Sequence, residues 1–183
     1  MKKIIILLVV GVLLSFTTNK KEKTINWMTF EEAVAAQKKS PKKIFVDTYT
    51  SWCGWCKKMD QTTFSNPDVI KYMNKNYYAV KFDAEGNDVI ELNGKTYSNP
   101  NYVPNKSGRN GSHELSRFFG IRSFPTVVFL DENAQMITPV PGYKTPQKFE
   151  LFLKFIASND YKEIKTREQW TEYSENFVPT FKE

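Results

Sequence analysis

The sequence predicts an α/β fold, a central mixed β-sheet flanked by helices, with an inserted loop and hairpin and a helical extension at the C-terminus. Two observations carry this. Short apolar runs rich in β-branched and aromatic residues, Ile44–Tyr49, Tyr77–Asp83 and Val127–Leu130, alternate with segments that have helix caps and apolar residues at helical spacing. The order helix, strand, helix, helix, strand in the first half suits a right-handed crossover between parallel strands. A chain of 183 residues with 40% hydrophobic content can build one core of moderate size without a disulfide scaffold.

Residues 1–18 read as a signal peptide. Lys2 and Lys3 form a positive start, Ile4–Leu14 is an apolar run, and Ser15–Thr18 supplies small residues near a cleavage point. The apolar run is too short to span a bilayer comfortably. Phe16 interrupts the small-x-small pattern, so an uncleaved N-terminal anchor is the alternative. A periplasmic or secreted location follows, or a membrane-tethered one, with residues 19–24 as a Lys-rich linker. Such a compartment is oxidising or redox-managed.

Thr29-Phe30-Glu31-Glu32 matches a capping box and starts a helix that runs to Lys39, where Ser40-Pro41 stops it. Trp27 and Phe30 read as core or staple residues. Ile44–Tyr49 is a central buried strand, and Asp47 within it is costly to bury unless it has a partner or a task. The next helix carries Lys57, Lys58 and Met59 and ends before Phe64. Asn66-Pro67 caps another, whose apolar face is Val69, Ile70, Tyr72 and Met73, and the strand Tyr77–Asp83 follows.

Residues 84–111 break the pattern and read as an insertion. Asn93-Gly94 between Val89–Leu92 and Lys95–Tyr97 signals a hairpin, and the rest is a loop long enough to be either functional or disordered. Ser112 is expected to cap a helix over Glu114–Phe119 that Gly120 ends. After the strand Val127–Leu130, the turn Asp131–Ala134 leads into a shorter antiparallel strand, Met136–Val140, ended by Gly142. Thr145-Pro146 opens a helix with Phe149, Phe152, Leu153 and Ile156 on its buried face. In the extension 158–183, Trp170, Tyr173 and Phe177 mark an amphipathic helix docked on the domain, with a partner-binding helix as the alternative.

The chemistry concentrates in Trp52-Cys53-Gly54-Trp55-Cys56, which holds both cysteines of the chain. They can bridge only each other or a partner. If a helix begins near Cys53, the two meet across its first turn. A CxxC that follows a strand and opens a helix is a redox signature. Two other uses stand beside it. Two thiolates can bind a soft ion such as copper, whereas a closed zinc site needs four ligands and His113, ordinarily a surface residue, is the one further strong candidate. A non-enzymatic binding module would keep the pair as a stable bridge. The net charge of +6 comes from lysines spread along the chain, so a nucleic-acid interface, which needs a concentrated cationic face, is excluded.

These residues resemble the thioredoxin superfamily. More closely, they are similar to secreted bacterial thioredoxin-like proteins whose active site reads WCGWCK followed by Met, and to the periplasmic domain of the transmembrane thiol reductase. The matching stretches, Phe45–Met59, Val80–Asp83, Gly120–Asp131 and Gly142–Ile156, fall within a domain at residues 25–157. The insertion 84–111 and the tail lie outside the resemblance. It implies a thioredoxin fold and an exported thiol-disulfide oxidoreductase acting on protein thiols and disulfides, with net reduction as the favoured direction. Cys53 would be the nucleophile, favoured at a helix N-terminus, and Cys56 the more buried resolving thiol. Asp47, paired with Lys81, would take the Cys56 proton. Pro125 would be a cis-proline that presents the backbone of Phe124 to a substrate strand, and Trp52, Gly54 and Trp55 would border that substrate. The resemblance further implies a membrane or periplasmic redox partner, no cofactor, no metal and a monomer. Trp55 stands before Cys56 where thioredoxin has Pro, and that dipeptide tunes the potential, which leaves the direction of exchange open.

Overall fold

A computed structural model describes residues 23–182. The expected signal peptide, residues 1–18, and most of the expected linker, residues 19–24, lie outside the described residues. β1 (Trp27–Met28) leads into α1 (Phe30–Lys39), and the capping box is present as both reciprocal hydrogen bonds between Thr29 and Glu32. β2 (Lys43–Tyr49) is buried along all but its last residue. α2 (Gly54–Thr62) and α3 (Pro67–Asn76) follow, the latter capped by the Asn66 side chain with Pro67 in its first turn, and the chain enters β3 (Tyr77–Asp83). The hairpin β4 (Ile90–Leu92) and β5 (Lys95–Tyr97) turns at Asn93-Gly94, both at positive φ as a tight hairpin turn requires. Then come α4 (Glu114–Phe118), β6 (Thr126–Leu130), β7 (Met136–Pro141), α5 (Pro146–Ala157), a 3-10 turn at Asp160–Lys162 and α6 (Arg167–Glu175).

The main sheet has the order β1-β3-β2-β6-β7; β1, β3 and β2 are parallel, and β6 and β7 run antiparallel to their neighbours. The period-2 alternation of side chains sorts the core into two faces. Phe45, Ala79, Val127 and Phe129 point to one face, under Met59 of α2, Val69 and Met73 of α3, and Phe149 and Leu153 of α5. Ile44, Val46, Val80 and Val128 point to the other, under Phe30 and Ala33 of α1, Leu115 of α4 and the hairpin. Phe45 centres the first face, with its ring 5.5–5.9 Å from those of Phe64, Phe129 and Phe149. Truncating so enclosed a ring removes about 3–5 kcal/mol.

Three local expectations are corrected, and one strand is new. β1 pairs Trp27 with Ala79 and Met28 with Val80; two residues carry too little pattern to announce themselves, while Trp27 packs against the core as expected. α4 is capped by His113, not Ser112: the His113 backbone is extended and its Nδ1 accepts from Leu115 N at 3.1 Å. α4 also ends one residue before the expected Phe119, with Gly120 at positive φ just beyond. β7 is six residues against five in β6, not shorter, because as an edge strand it tolerates Pro139 and Pro141.

The tail docks. Trp170 packs on Phe152 and Phe155 with ring centroids 5.6 and 4.9 Å apart, and Tyr173 lies 5.1 Å from Phe155. Phe177 falls beyond the helix end and is half-buried. The last residues return across α3 and α5. There the fully buried Glu150 carboxylate accepts from Thr180 N, Thr180 Oγ1 and Phe181 N and pairs with Lys154 at 2.6 Å. Asp68 and Asn66 bind Lys182 from α3 and its cap. Glu150→Ala removes this anchor at once. It should lower stability in urea denaturation by about 2 kcal/mol, the scale of losing hydrogen bonds to a charged group, and make the chain after α6 the first site of proteolysis.

Candidate active site

At the C-terminal end of β2 the backbone turns through Thr50, whose carbonyl accepts from Cys53 N at 3.1 Å. Cys53 is the N-cap of α2: its backbone is extended and its Sγ accepts from Cys56 N at 3.1 Å, taking the place a Ser or Asp oxygen fills in other helices. Cys53 and Cys56 form a disulfide. Both are 4% exposed, so the expected difference in burial is absent. Position distinguishes them instead: Cys53 faces the free N–H groups and positive end of the helix, which favour a thiolate, while Cys56 lies inside the first turn. Gly54 opens α2 in the open, where an added Cβ would meet nothing within 4 Å.

Asp47 lies six residues before Cys53 on β2, directed to the face that α2 covers, and is 2% exposed. Opposite it in the parallel register, Lys81 of β3 extends Nζ to within 3.4 Å of the Asp47 carboxylate. The same ammonium binds both oxygens of Asp60 on α2, at 2.6 and 2.8 Å. Burial pushes the Asp47 carboxyl up to about 7; Lys81 opposes this, and the charge on Asp60 adds to it. For Lys81, burial favours the neutral amine, but the two carboxylates outweigh it and hold the ammonium above its usual range. A half-exposed Asp60 and a partly exposed Lys81 thus connect a buried acid to the surface. Asp60 was not singled out from the sequence, though its position one turn beyond Cys56 places it on the same helix face.

The opposite wall is the turn before β6. The Phe124–Pro125 peptide bond is cis, and the Pro125 carbonyl accepts from Gly142 N at 2.8 Å, which ties this turn to the end of β7. Phe124 sets its ring edge-on to Trp52, 5.8 Å between centroids. On the other side Trp55, 57% exposed, leans on Tyr143 at 5.5 Å with Lys58 Nζ 5.1 Å above its ring. The pair of tryptophans, the disulfide and Phe124-Pro125 therefore form one surface.

The insertion reaches this surface too. Glu85 Oε2 accepts from Trp52 Nε1 at 2.9 Å and from Asn110 N at 2.7 Å, and the Arg109 guanidinium lies 4.6 Å above the Trp52 ring. No sequence spacing links residues 85 and 109 to residue 52; only the fold joins them. His113, by contrast, is fully buried rather than a surface residue. Nδ1 caps α4, and Nε2 lies 2.8 Å from the Asp88 carbonyl, so backbone groups engage both ring nitrogens. Among the described residues no group of three or more His, Cys, Asp or Glu side chains is placed to hold a metal ion.

With this geometry in hand, the chain belongs to the thioredoxin-like domain family, whose model matches residues 30–157 and so takes in both cysteines, Asp47, Lys81 and Pro125. The fold is that of a thioredoxin-fold protein from Helicobacter pylori (TM-score 0.58, 15% identity, 86% of this chain and 91% of that one). It is also that of the oxidoreductase DsbH (TM-score 0.55, 18% identity, 81% and 94%). In sequence, the chain is 24% identical over 122 residues to the thiol:disulfide interchange protein DsbD of Pectobacterium atrosepticum, covering 66% of this chain. That match spans 17% of DsbD, and matches over 62 residues to an uncharacterized protein of Caenorhabditis elegans (36% identity) and to spermatogenesis-associated protein 20 of Mus musculus (32%) each span 33% of this chain and 8% of the relative.

The raised Asp47 pKa fixes a pH dependence of stability. Between the ordinary carboxylate value of 3.8 and about 7, the folded protein holds a proton that the unfolded chain has released. Stability attributable to Asp47 is thus complete below about pH 4 and falls as pH rises to about 7. Asp47→Asn removes that slope. By chemical denaturation of the oxidised protein, it should match wild type near pH 4 and exceed it at pH 8 by at most about 4 kcal/mol, the free energy of a three-unit shift.

Proposed function

We propose that the protein is an exported thiol-disulfide oxidoreductase that reduces disulfides in protein substrates. The observation that carries this is the CxxC pair at the N-cap of α2, over a sheet face that holds a buried carboxyl near neutrality. In the dithiol form the Cys53 thiolate attacks a substrate disulfide. A Cys53–substrate disulfide forms, and the other substrate sulfur leaves as a thiolate that takes up a proton. Cys56, its proton passed to Asp47, then attacks Cys53 Sγ and expels the second substrate thiolate. Two electrons have moved from the protein to the substrate, and Cys53–Cys56 is again a disulfide.

A carboxyl with a pKa of about 7 can both take and release that proton at neutral pH, whereas an ordinary Asp would remain ionised. Lys81, braced by Asp60, orients the Asp47 carboxyl and moderates its affinity for that proton; both are positioning residues rather than reactants. The substrate segment lies over Trp52, Gly54 and Trp55 and pairs with the Phe124 backbone ahead of Pro125. The charged start and apolar run of residues 1–18 support export, and among the described residues no helix is long and apolar enough to cross a membrane. A membrane or periplasmic dithiol partner returns the pair to its reduced state.

Cys56→Ala should leave Cys53 able to attack but unable to be released. Expressed with its export segment and quenched with acid, this variant should accumulate Cys53-linked mixed disulfides with other proteins, and Cys53→Ala should accumulate none. If the Cys56→Ala protein carries a free, alkylatable Cys53 and forms no such adducts, the exchange mechanism is wrong.

A further inference from the structure

The insertion is built as an arm rather than left as a loose loop. At its base the buried Asn99 amide donates to the carbonyls of Glu85, Gly86 and Gly111 at 2.7–3.3 Å. Across its tip, Asn110 bonds both the N–H and the carbonyl of Val103. Gly111 passes so close to the Asn101 backbone that a Cβ would lie 2.5 Å from its carbonyl oxygen, so only glycine permits this approach. These bonds deliver one side chain, Arg109, onto the Trp52 ring.

Positive charge is in excess on this surface. Arg109 is exposed and makes no ion pair among the described residues. A guanidinium held over an indole face still has N–H groups to offer a carboxylate. Lys57 and Lys58 are exposed beside Cys56 and likewise make no ion pair among the described residues. Of the nearby carboxylates, Asp60 is paired with Lys81, and Glu85 accepts from the neutral N–H groups of Trp52 and Asn110, so one carboxylate faces the three cations Arg109, Lys57 and Lys58. We propose that the insertion is a substrate-selecting arm, and that Arg109, seated on Trp52 beside the disulfide, holds an acidic side chain flanking the cysteine of the protein substrate. This rests on the exchange reaction proposed above and adds the class of segment that the site accepts.

The test uses the full-length mature protein, reduced with dithiothreitol and desalted, and two peptide disulfides that differ only in having Glu or Lys on either side of the cysteine. Single-turnover rates are read by thiol release and divided by the rate of each peptide with dithiothreitol, which corrects for intrinsic reactivity. At low ionic strength the wild-type protein should favour the Glu peptide by about tenfold, a ratio that should shrink toward one in about 0.5 M salt. Arg109→Glu should bring the ratio below one. A wild-type ratio at or below one overturns the proposal. So does the same ratio in Arg109→Glu, including the case where both rates fall together, as they would if the arm only braced Trp52. Reduction of the neutral hydroxyethyl disulfide reports exchange alone. A wild-type protein that leaves it intact lacks the exchange activity itself, whereas one that reduces it without discriminating the peptides counts against the arm only.

Discussion

A carboxyl group enclosed in the central strand sets the terms for the structure around it. Asp47 sits among Phe45, Val127 and the underside of α2, where an ionised carboxylate without a partner would cost several kcal/mol. The parallel register supplies that partner by placing Lys81 of β3 opposite. Lys81 in turn is braced by Asp60 from α2 and enclosed by the rings of Tyr49 and Trp27. Strand, neighbouring strand and active-site helix are thereby tied to one proton. The helix that carries this link also carries both cysteines, so the acid and the redox pair are held by the same elements.

Much of this was legible before the fold was known because it is local. The capping box Thr29–Glu32, Asn66-Pro67, Asn93-Gly94 and Thr145-Pro146 act over a few residues, and each produced the element it announced. The strands were readable as short apolar runs, and Asp47 stood out as an acid in one of them. The thioredoxin resemblance, carried by Cys53, Cys56 and Pro125, is met by the family to which the chain belongs. What escaped is what depends on distance in sequence. Asp60 matters through Lys81, 21 residues on, and Glu85 and Arg109 matter through Trp52. His113 escaped for another reason: burial turned a polar residue into a helix cap, and a single His carries no pattern that foretells its burial.

The two segments outside the thioredoxin resemblance behave differently once folded. The tail covers the side of the domain formed by α3 and α5, with Glu150 as its anchor, and leaves the disulfide surface open. The insertion instead adds residues to that surface and positions Trp52 through Glu85. A relative lacking it would present the same cysteines with a differently held tryptophan. Under the proposed exchange reaction, selectivity is assigned to the arm and reactivity to the core.

Whether Cys53–Cys56 is an exchange pair or a permanent bridge is decided by its reduction potential, measured by equilibrating the protein with glutathione or dithiothreitol buffers and counting free thiols. An exchange site should titrate reversibly as a two-electron couple within the range spanned by thioredoxin-fold oxidoreductases, about −270 to −120 mV. A potential below about −300 mV, where structural disulfides of secreted proteins lie, would contradict it.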